Sequence, residues 1–327
     1  VIVWLVVEYL PISQAGDCAE LKRISNLEAR VALTINGLSK TYPNGVKALK
    51  NLSLSIGNSM FGLVGPNGAG KSSLMRTIAT LQDPDSGTIN LDGIDVLRQK
   101  DQVRRILGYL PQEFGVYPKI SALDMLQHLA VMKGMTVSSE RKEMIDTLLQ
   151  QTNLWDVRKK ALSTFSGGMK QRFGIAQALL GNPRLIVVDE PTAGLDPAER
   201  NRFLNLLSSL GSDRTVILST HIVDDVRQLC PRMAIIASGE LLLEGAPSDT
   251  LAALNGKIWS KVVATDEEVR AMETQLHVIS THLVGGQHEI RVYAESSPGN
   301  GFRVVDSGLE DVYFLNLSQQ SKRQLTN

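Results

Sequence analysis

The stretch "MFGLVGPNGAGKSS", Met60 to Ser73, decides how the rest of the chain is read. It opens with an apolar run of strand length, and the glycines follow without a spacer. Gly65, Pro66, Asn67, Gly68, Ala69, Gly70, Lys71, Ser72 and Ser73 contain the full pattern G-x-x-x-x-G-K-S. Glycines let the backbone fold tightly enough to aim successive N–H groups at one anion, and a helix starting near Lys71 adds partial positive charge. At this spacing Lys71 can reach the outer phosphates of a nucleotide and Ser72 can ligate Mg²⁺. Buried strand, glycine loop and helix in that order predict an α/β fold.

Working outward, "VALTI" from Val31 alternates as a strand does. "KALKNLSLSI" is a second strand, and the Asn-Gly of "YPNGV" joins the two as an antiparallel meander. "GTINLDG" returns as a strand. From about Pro118 to Ala161 apolar residues recur at helical spacing, which predicts a helical insertion spanning about 113–165. "RLIVVD" is continuously apolar, as a strand buried on both faces of a parallel sheet must be. In "LDPAERNRFLNLLSSLG", Asp196 is an N-cap with Pro197 in the first turn, Glu199 is expected to close a capping box, and Gly211 ends the helix. "TVILST" and "RMAIIASGELLLEG" supply further strands, the latter split by a Ser-Gly turn. After Asn255 a strand, a helix opened by a Thr265–Glu268 capping box, a Gly-Gly hairpin and a closing helix make a small α+β appendage.

The division that follows is an N-terminal extension over 1–30, a nucleotide-binding domain over 31–254 and the appendage over 255–327. "VIVWLVVEYL" at the start is broken by Glu8, well short of the ~20 residues of a membrane helix. It reads as a mis-called start or an irregular extension, the alternative being a short membrane-surface or partner contact. Lys+Arg and Asp+Glu both number 34, so no global field recruits nucleic acid or anionic lipid. Cys18 and Cys230 are too few for a disulfide framework or a zinc site and read as reduced cytosolic thiols. His277, His282 and His288 fall on the predicted hairpin without a carboxylate or thiol cluster and read as solvated strand residues.

"RLIVVDEP" adds chemistry to the glycine loop. Asp189 ends a buried strand, where it can hold Mg²⁺, and Glu190 beside it can polarise an attacking water as general base. "STFSGGMKQR", Ser163 to Arg172, then resembles the signature motif of ATP-binding cassette (ABC) proteins, with Ser166, Gly167 and Gly168 in the usual places. Tyr42 ahead of the loop, Gln112 in "YLPQEF", Asp196 in "AGLDP" and His221 in "LSTHI" follow in ABC order.

The resemblance implies a P-loop NTPase core with an antiparallel β subdomain and a helical insertion, binding ATP and Mg²⁺. It implies that Tyr42 stacks on adenine, with the ring rather than the hydroxyl mattering, and that Gln112 reaches Mg²⁺ and the attacking water. Ser166 and Gly168 would present a hydroxyl and an N–H to the γ-phosphate held by a second subunit, and Asp196 would cross the dimer interface. His221 would contact the γ-phosphate and steady Glu190. The usual signature is Leu-Ser-Gly-Gly-Gln. Phe165 here keeps an apolar anchor, whereas Met169 loses an amide.

"GLEDVYF" near the C-terminus, with the appendage, resembles the ATPases of multidrug and antibiotic exporters, whose permease is a separate polypeptide. The function implied is the ATP-hydrolysing subunit of an exporter, working as a homodimer on integral-membrane permease subunits at the cytoplasmic face of the membrane. "EFGVYPKIS" would face the permease, and the appendage would serve dimer or permease contacts. The alternatives are a soluble ABC ATPase acting on ribosomes or DNA, and a module that senses nucleotide without turnover. The first lacks its second cassette, coiled coil or basic patch here; the second is disfavoured by Glu190 and His221.

Overall fold

The computed structural model describes residues 31–112, 115, 119–210, 214–299 and 301–326. The readings placed on 1–30, on most of "EFGVYP" and on Gly211 lie outside the described residues. In chain order the elements begin with β1 (Val31–Thr41), β2 (Lys47–Gly57), β3 (Met60–Val64), α1 (Lys71–Ile78), β4 (Ser86–Leu91) and β5 (Ile94–Asp95). Next come α2 (Lys100–Ile106), β6 (Leu107–Leu110), α3 (Ala122–Met132), α4 (Ser138–Gln151) and α5 (Gly167–Leu179). Then follow β7 (Leu185–Asp189), α6 (Pro197–Ser208), β8 (Thr215–Thr220), α7 (Val223–Leu229), β9 (Arg232–Ala237), β10 (Glu240–Gly245) and α8 (Pro247–Ala252). The last are β11 (Ile258–Val263), α9 (Asp266–Gln275), β12 (Val278–Val284), β13 (Gln287–Tyr293), β14 (Arg303–Val304) and α10 (Leu309–Thr326).

A six-stranded sheet in the order β10-β9-β3-β8-β7-β6 carries the site, with β3 at its middle, parallel to both β8 and β9. The continuous apolar run of β7 is explained by burial on both faces. Leu185 and Val187 face one core, shared with Leu33, Ile35 and Leu54 of the antiparallel sheet β2-β1-β4-β5 and with Leu74, Met75 and Ile78 of α1. Ile186 and Val188 face the other, shared with Leu126 of α3, Leu149 of α4, Phe173 of α5 and Val226 of α7. The glycine loop therefore leaves the centre of a sheet fixed from both sides.

The third sheet, β12-β13-β11-β14, belongs to the C-terminal segment. Its helix α9 opens with the complete Thr265–Glu268 capping box. The closing helix α10 does more than finish this segment. Leu309, Val312 and Tyr313 are buried in the same core as Val223 and Val226 of α7, and Gln320 Nε2 donates to the Ala237 carbonyl at 2.9 Å. The three appendage histidines turn to separate partners: His277 to Ser318, His282 to Ser280 and His288 to Asp266.

One local expectation fails. Asp196 caps α6, its Oδ1 accepting from Glu199 N at 2.9 Å, but Glu199 does not return the bond to close a capping box. Its carboxylate instead meets Arg202 at 2.6 Å and lies within 3.9 Å of Arg172. A Cβ on Gly168 would lie 2.3 Å from Glu199 Oε2, so this glycine lets α5 and the start of α6 touch directly.

Candidate functional site

The loop after β3 is shaped by glycine where the backbone requires it. Gly70 has φ +104°, and a Cβ there would lie 2.3 Å from the Ala48 carbonyl, which excludes any side chain. Gly70 is also the N-cap of α1 and so brings no side-chain cap, and no acidic residue stands in the first turn. The N–H groups that a helix start leaves without intrahelical partners therefore remain available to an anion.

Tyr42, Val46, Ala48, Pro66 to Ser73, Gln112 and Glu190 line a cavity of about 460 Å³ around this loop, a volume within the usual range for small-molecule sites. Lys71, only 5% exposed, donates to the Gly65 carbonyl at 2.6 Å and the Pro66 carbonyl at 3.3 Å, and its Nζ lies 3.1 Å from Glu190 Oε1. That pair is an ion contact out of hydrogen-bond alignment, since Glu190 Oε1 has no hydrogen-bond partner. Asp189 Oδ1 and Ser219 Oγ, both buried, are likewise without one. Buried oxygens without partners at the ends of β7 and β8, together with the unpaired N–H groups at the start of α1, fit a ligand that brings both phosphate oxygens and a cation. Ser72 and Gln112 line the cavity, and Asp189 stands next to Glu190 at the end of β7.

Glu190 follows β7 in the left-handed region, at φ +49°, a conformation that costs a non-glycine residue about 1–3 kcal/mol. Hydrogen bonds and an ion contact hold it there. Its N–H donates to the Ser219 carbonyl at 2.8 Å, Lys71 faces Oε1, and Oε2 shares a hydrogen bond of 2.6 Å with His221 Nδ1. His221, half-exposed at the end of β8, thus presents its other ring nitrogen outward while steering the carboxylate.

Of the residues expected from the sequence, the structure brings together Tyr42, the loop, Gln112, Asp189, Glu190 and His221. Ser166, Gly167, Gly168 and Asp196 do not line this cavity. Ser166, Gly167 and Asp196 are exposed. Ser166 Oγ caps α5, accepting from Met169 N at 3.2 Å, which leaves its hydroxyl proton free to donate. Phe165 is buried edge-on against Phe173 at 6.5 Å, the apolar anchor expected of it, and Met169 packs partly buried against the same core.

Tyr42 differs from expectation in one respect. Its hydroxyl donates to Gln82 Oε1 at 3.0 Å and lies 3.0 Å from Ser73 Oγ, so the hydroxyl fixes the ring beside the loop. Aromatic–base stacking is worth roughly 1–3 kcal/mol and 1.4 kcal/mol is about tenfold, so Tyr42→Ala is expected to weaken ATP binding about five-fold or more. A net hydrogen bond is worth about 0.5–1.5 kcal/mol, so Tyr42→Phe should fall between wild type and Tyr42→Ala. Equal and negligible effects in a nucleotide titration would remove Tyr42 from the site.

Sequence reading missed two sets of neighbours. Tyr313 of α10 has its phenol pKa raised, first by burial and then by the negative charge of Glu190, so the C-terminal helix reaches the electrostatic range of the site. Below Glu190, Thr192 Oγ1 donates to the buried carboxylate of Asp225 at 2.7 Å. Only the period-3.6 spacing of Leu309, Val312 and Tyr313 could have hinted at the first, and nothing in the sequence pairs the second.

A family model described as ABC transporter matches residues 49–193. The linearmycin resistance ATP-binding protein LnrL of Bacillus subtilis is 37% identical over 276 residues, which cover 83% of this chain and 86% of that protein. The daunorubicin/doxorubicin resistance ATP-binding protein DrrA of Streptomyces peucetius is 32% identical over 275 residues, 84% of this chain and 80% of that one. Among solved structures, the dimeric post-hydrolysis state of the ATP-binding cassette MJ0796 bound to ADP and Pi is similar with a TM-score of 0.60. Its identity is 29%, over 65% of this chain and 98% of that one.

Proposed function

This chain belongs to the ABC transporter family, as an ATP-binding, ATP-hydrolysing subunit, and from that premise we propose that it drives a separate export permease through a head-to-tail dimer. The observation that carries the reading is the cavity at the glycine loop, where Glu190 stands between Lys71 and His221 at 3.1 and 2.6 Å. Similarity to the resistance proteins LnrL and DrrA over 83% and 84% of this chain favours antibiotics as the exported class.

In this mechanism the loop N–H groups and the start of α1 bind the phosphates, and Tyr42 stacks on the adenine. On binding, Lys71 leaves the Gly65 and Pro66 carbonyls for the β- and γ-phosphate oxygens. Ser72, Asp189 and Gln112 would hold Mg²⁺, which would supply neutralisation of the phosphate charge. Glu190, freed from Lys71, takes the proton of the attacking water at Oε1, while His221 holds Oε2 and turns its outer nitrogen to the γ-phosphate. Ser166, Gly167, Gly168 and Asp196, which do not line their own chain's cavity, complete that of the partner subunit across a two-fold axis.

Among the described residues no helix is long and apolar enough to cross a membrane, and in this reading the permease is a separate chain. A groove of about 820 Å³ at the junction of core and helical insertion suits it, lined by Arg104, Arg105, Tyr109, Leu129, Met132 and Lys133. Lys133 closes its floor, donating to the Leu107 and Leu180 carbonyls at 3.0 and 2.8 Å, and burial pushes its pKa down to about 8. In this reading the protein works at the cytoplasmic face of the membrane. Affinity purification of the tagged chain from detergent-solubilised membranes tests the proposal: a polytopic membrane protein should co-purify in stoichiometric amount. Ribosomal proteins or nucleic acid in its place would favour the soluble ABC ATPase instead.

A further inference from the structure

We infer that Asp225 is a positioning residue that locks together the three segments carrying Glu190, Asp196 and His221, so that a change at the dimer-facing Asp196 reaches the hydrolytic pair. The inference rests on the roles proposed above for those three residues. Asp225 lies on α7, four residues past His221, and is fully buried. Its Oδ2 accepts from the hydroxyl of Thr192, which is itself buried and stands two residues past Glu190. Its Oδ1 accepts from Arg200 Nε at 2.8 Å, with Nη2 as a close ion contact at 2.6 Å. Arg200 is on the first turn of α6, its own N–H donating to the Asp196 carbonyl at 2.9 Å. One carboxylate thus has partners on each of the other two segments and sits on the third.

A buried ion pair is a costly way to fill space, because desolvation consumes much or all of its Coulombic gain and apolar side chains of similar volume often do as well. What an apolar contact lacks is direction. Thr192 and Arg200 approach separate oxygens of a planar group, so neither α6 nor the turn after Glu190 can shift without moving α7 or breaking a bond in a dry site. Val223 and Val226 on either side of Asp225 are buried in the core, so α7 moves as a body. His221, immediately ahead of α7, moves with it.

The test uses the full chain with Thr192→Val and Asp225→Asn, singly and combined, both near-isosteric. Thermal midpoint, affinity for a fluorescent ATP analogue, and kcat are measured for each, with Glu190→Gln in the same assays. Each single variant should bind nucleotide within about three-fold of wild type, melt within a few degrees of it, and lose at least ten-fold in kcat. The double variant should lose no more than the worse single, because both break one unit. Unchanged kcat in the stable variants would overturn the inference. So would a loss that tracks affinity or thermal midpoint, or losses that multiply in the double variant. If Asp225→Asn does not fold, Thr192→Val alone decides by the same criteria. Near-normal hydrolysis by Glu190→Gln would instead strike the proposed roles on which the inference stands.

Discussion

Replacing Glu190 by glutamine is expected to lower ATP turnover about 10²–10⁴-fold, the usual worth of a positioned general base, while ATP binding stays intact or tightens. The two halves of this result have different causes. The amide cannot accept the proton of the attacking water, so turnover falls. Removing a carboxylate from beside the γ-phosphate removes repulsion, and releasing Lys71 from its 3.1 Å contact frees the ammonium for the nucleotide. Glutamine keeps an acceptor for His221, so the half-exposed ring should stay in place. Turnover and affinity measured on the same preparation decide the point, and near-normal hydrolysis would remove Glu190 from the chemistry.

Lys71→Ala should act on the other parameter. Charge-assisted hydrogen bonds are worth about 1.5–3 kcal/mol, so losing the ammonium should weaken ATP binding about 10–100-fold. A second effect follows from the free state. Glu190 is 5% exposed and Lys71 is the cation it faces, so the variant leaves a buried carboxylate whose remaining side-chain partner is His221. Isothermal titration with ATP reads the first effect. Unaltered affinity would mean that the ammonium stays on the Gly65 and Pro66 carbonyls in the bound state.

The parts of this site set by local backbone chemistry were legible in the sequence. Lys71 and Gly70 must stand together where a strand turns into a helix, and the apolar runs of β3 and β7 announce strands buried on both faces. Sheet order was not legible, because the crossovers that bring β9 beside β3 are decided by helices packing on both faces. Short elements escaped for a related reason: β6 and β14 have too few residues to show a period. Glu199 shows the limit at a single side chain. Its spacing from Asp196 suits a capping box, yet two arginines and the open face of Gly168 hold it elsewhere. The Thr192–Asp225–Arg200 cluster joins residues far apart in the chain, and no local pattern encodes such a pairing.

If ATP is closed between the glycine loop of one chain and Ser166 of another, cross-linking between chains will report it. Cysteines are placed at Asn67 and Ser166 on separately tagged chains carrying Glu190→Gln. Cys18 is replaced, as is Cys230, although Cys230 is buried and burial raises its thiol pKa far above the ordinary range. Asn67 and Ser166 are both exposed, so a short bifunctional reagent can reach them. Linkage between differently tagged chains is expected only when ATP is bound. Linkage without ATP, or none despite demonstrated ATP binding, would contradict that closure.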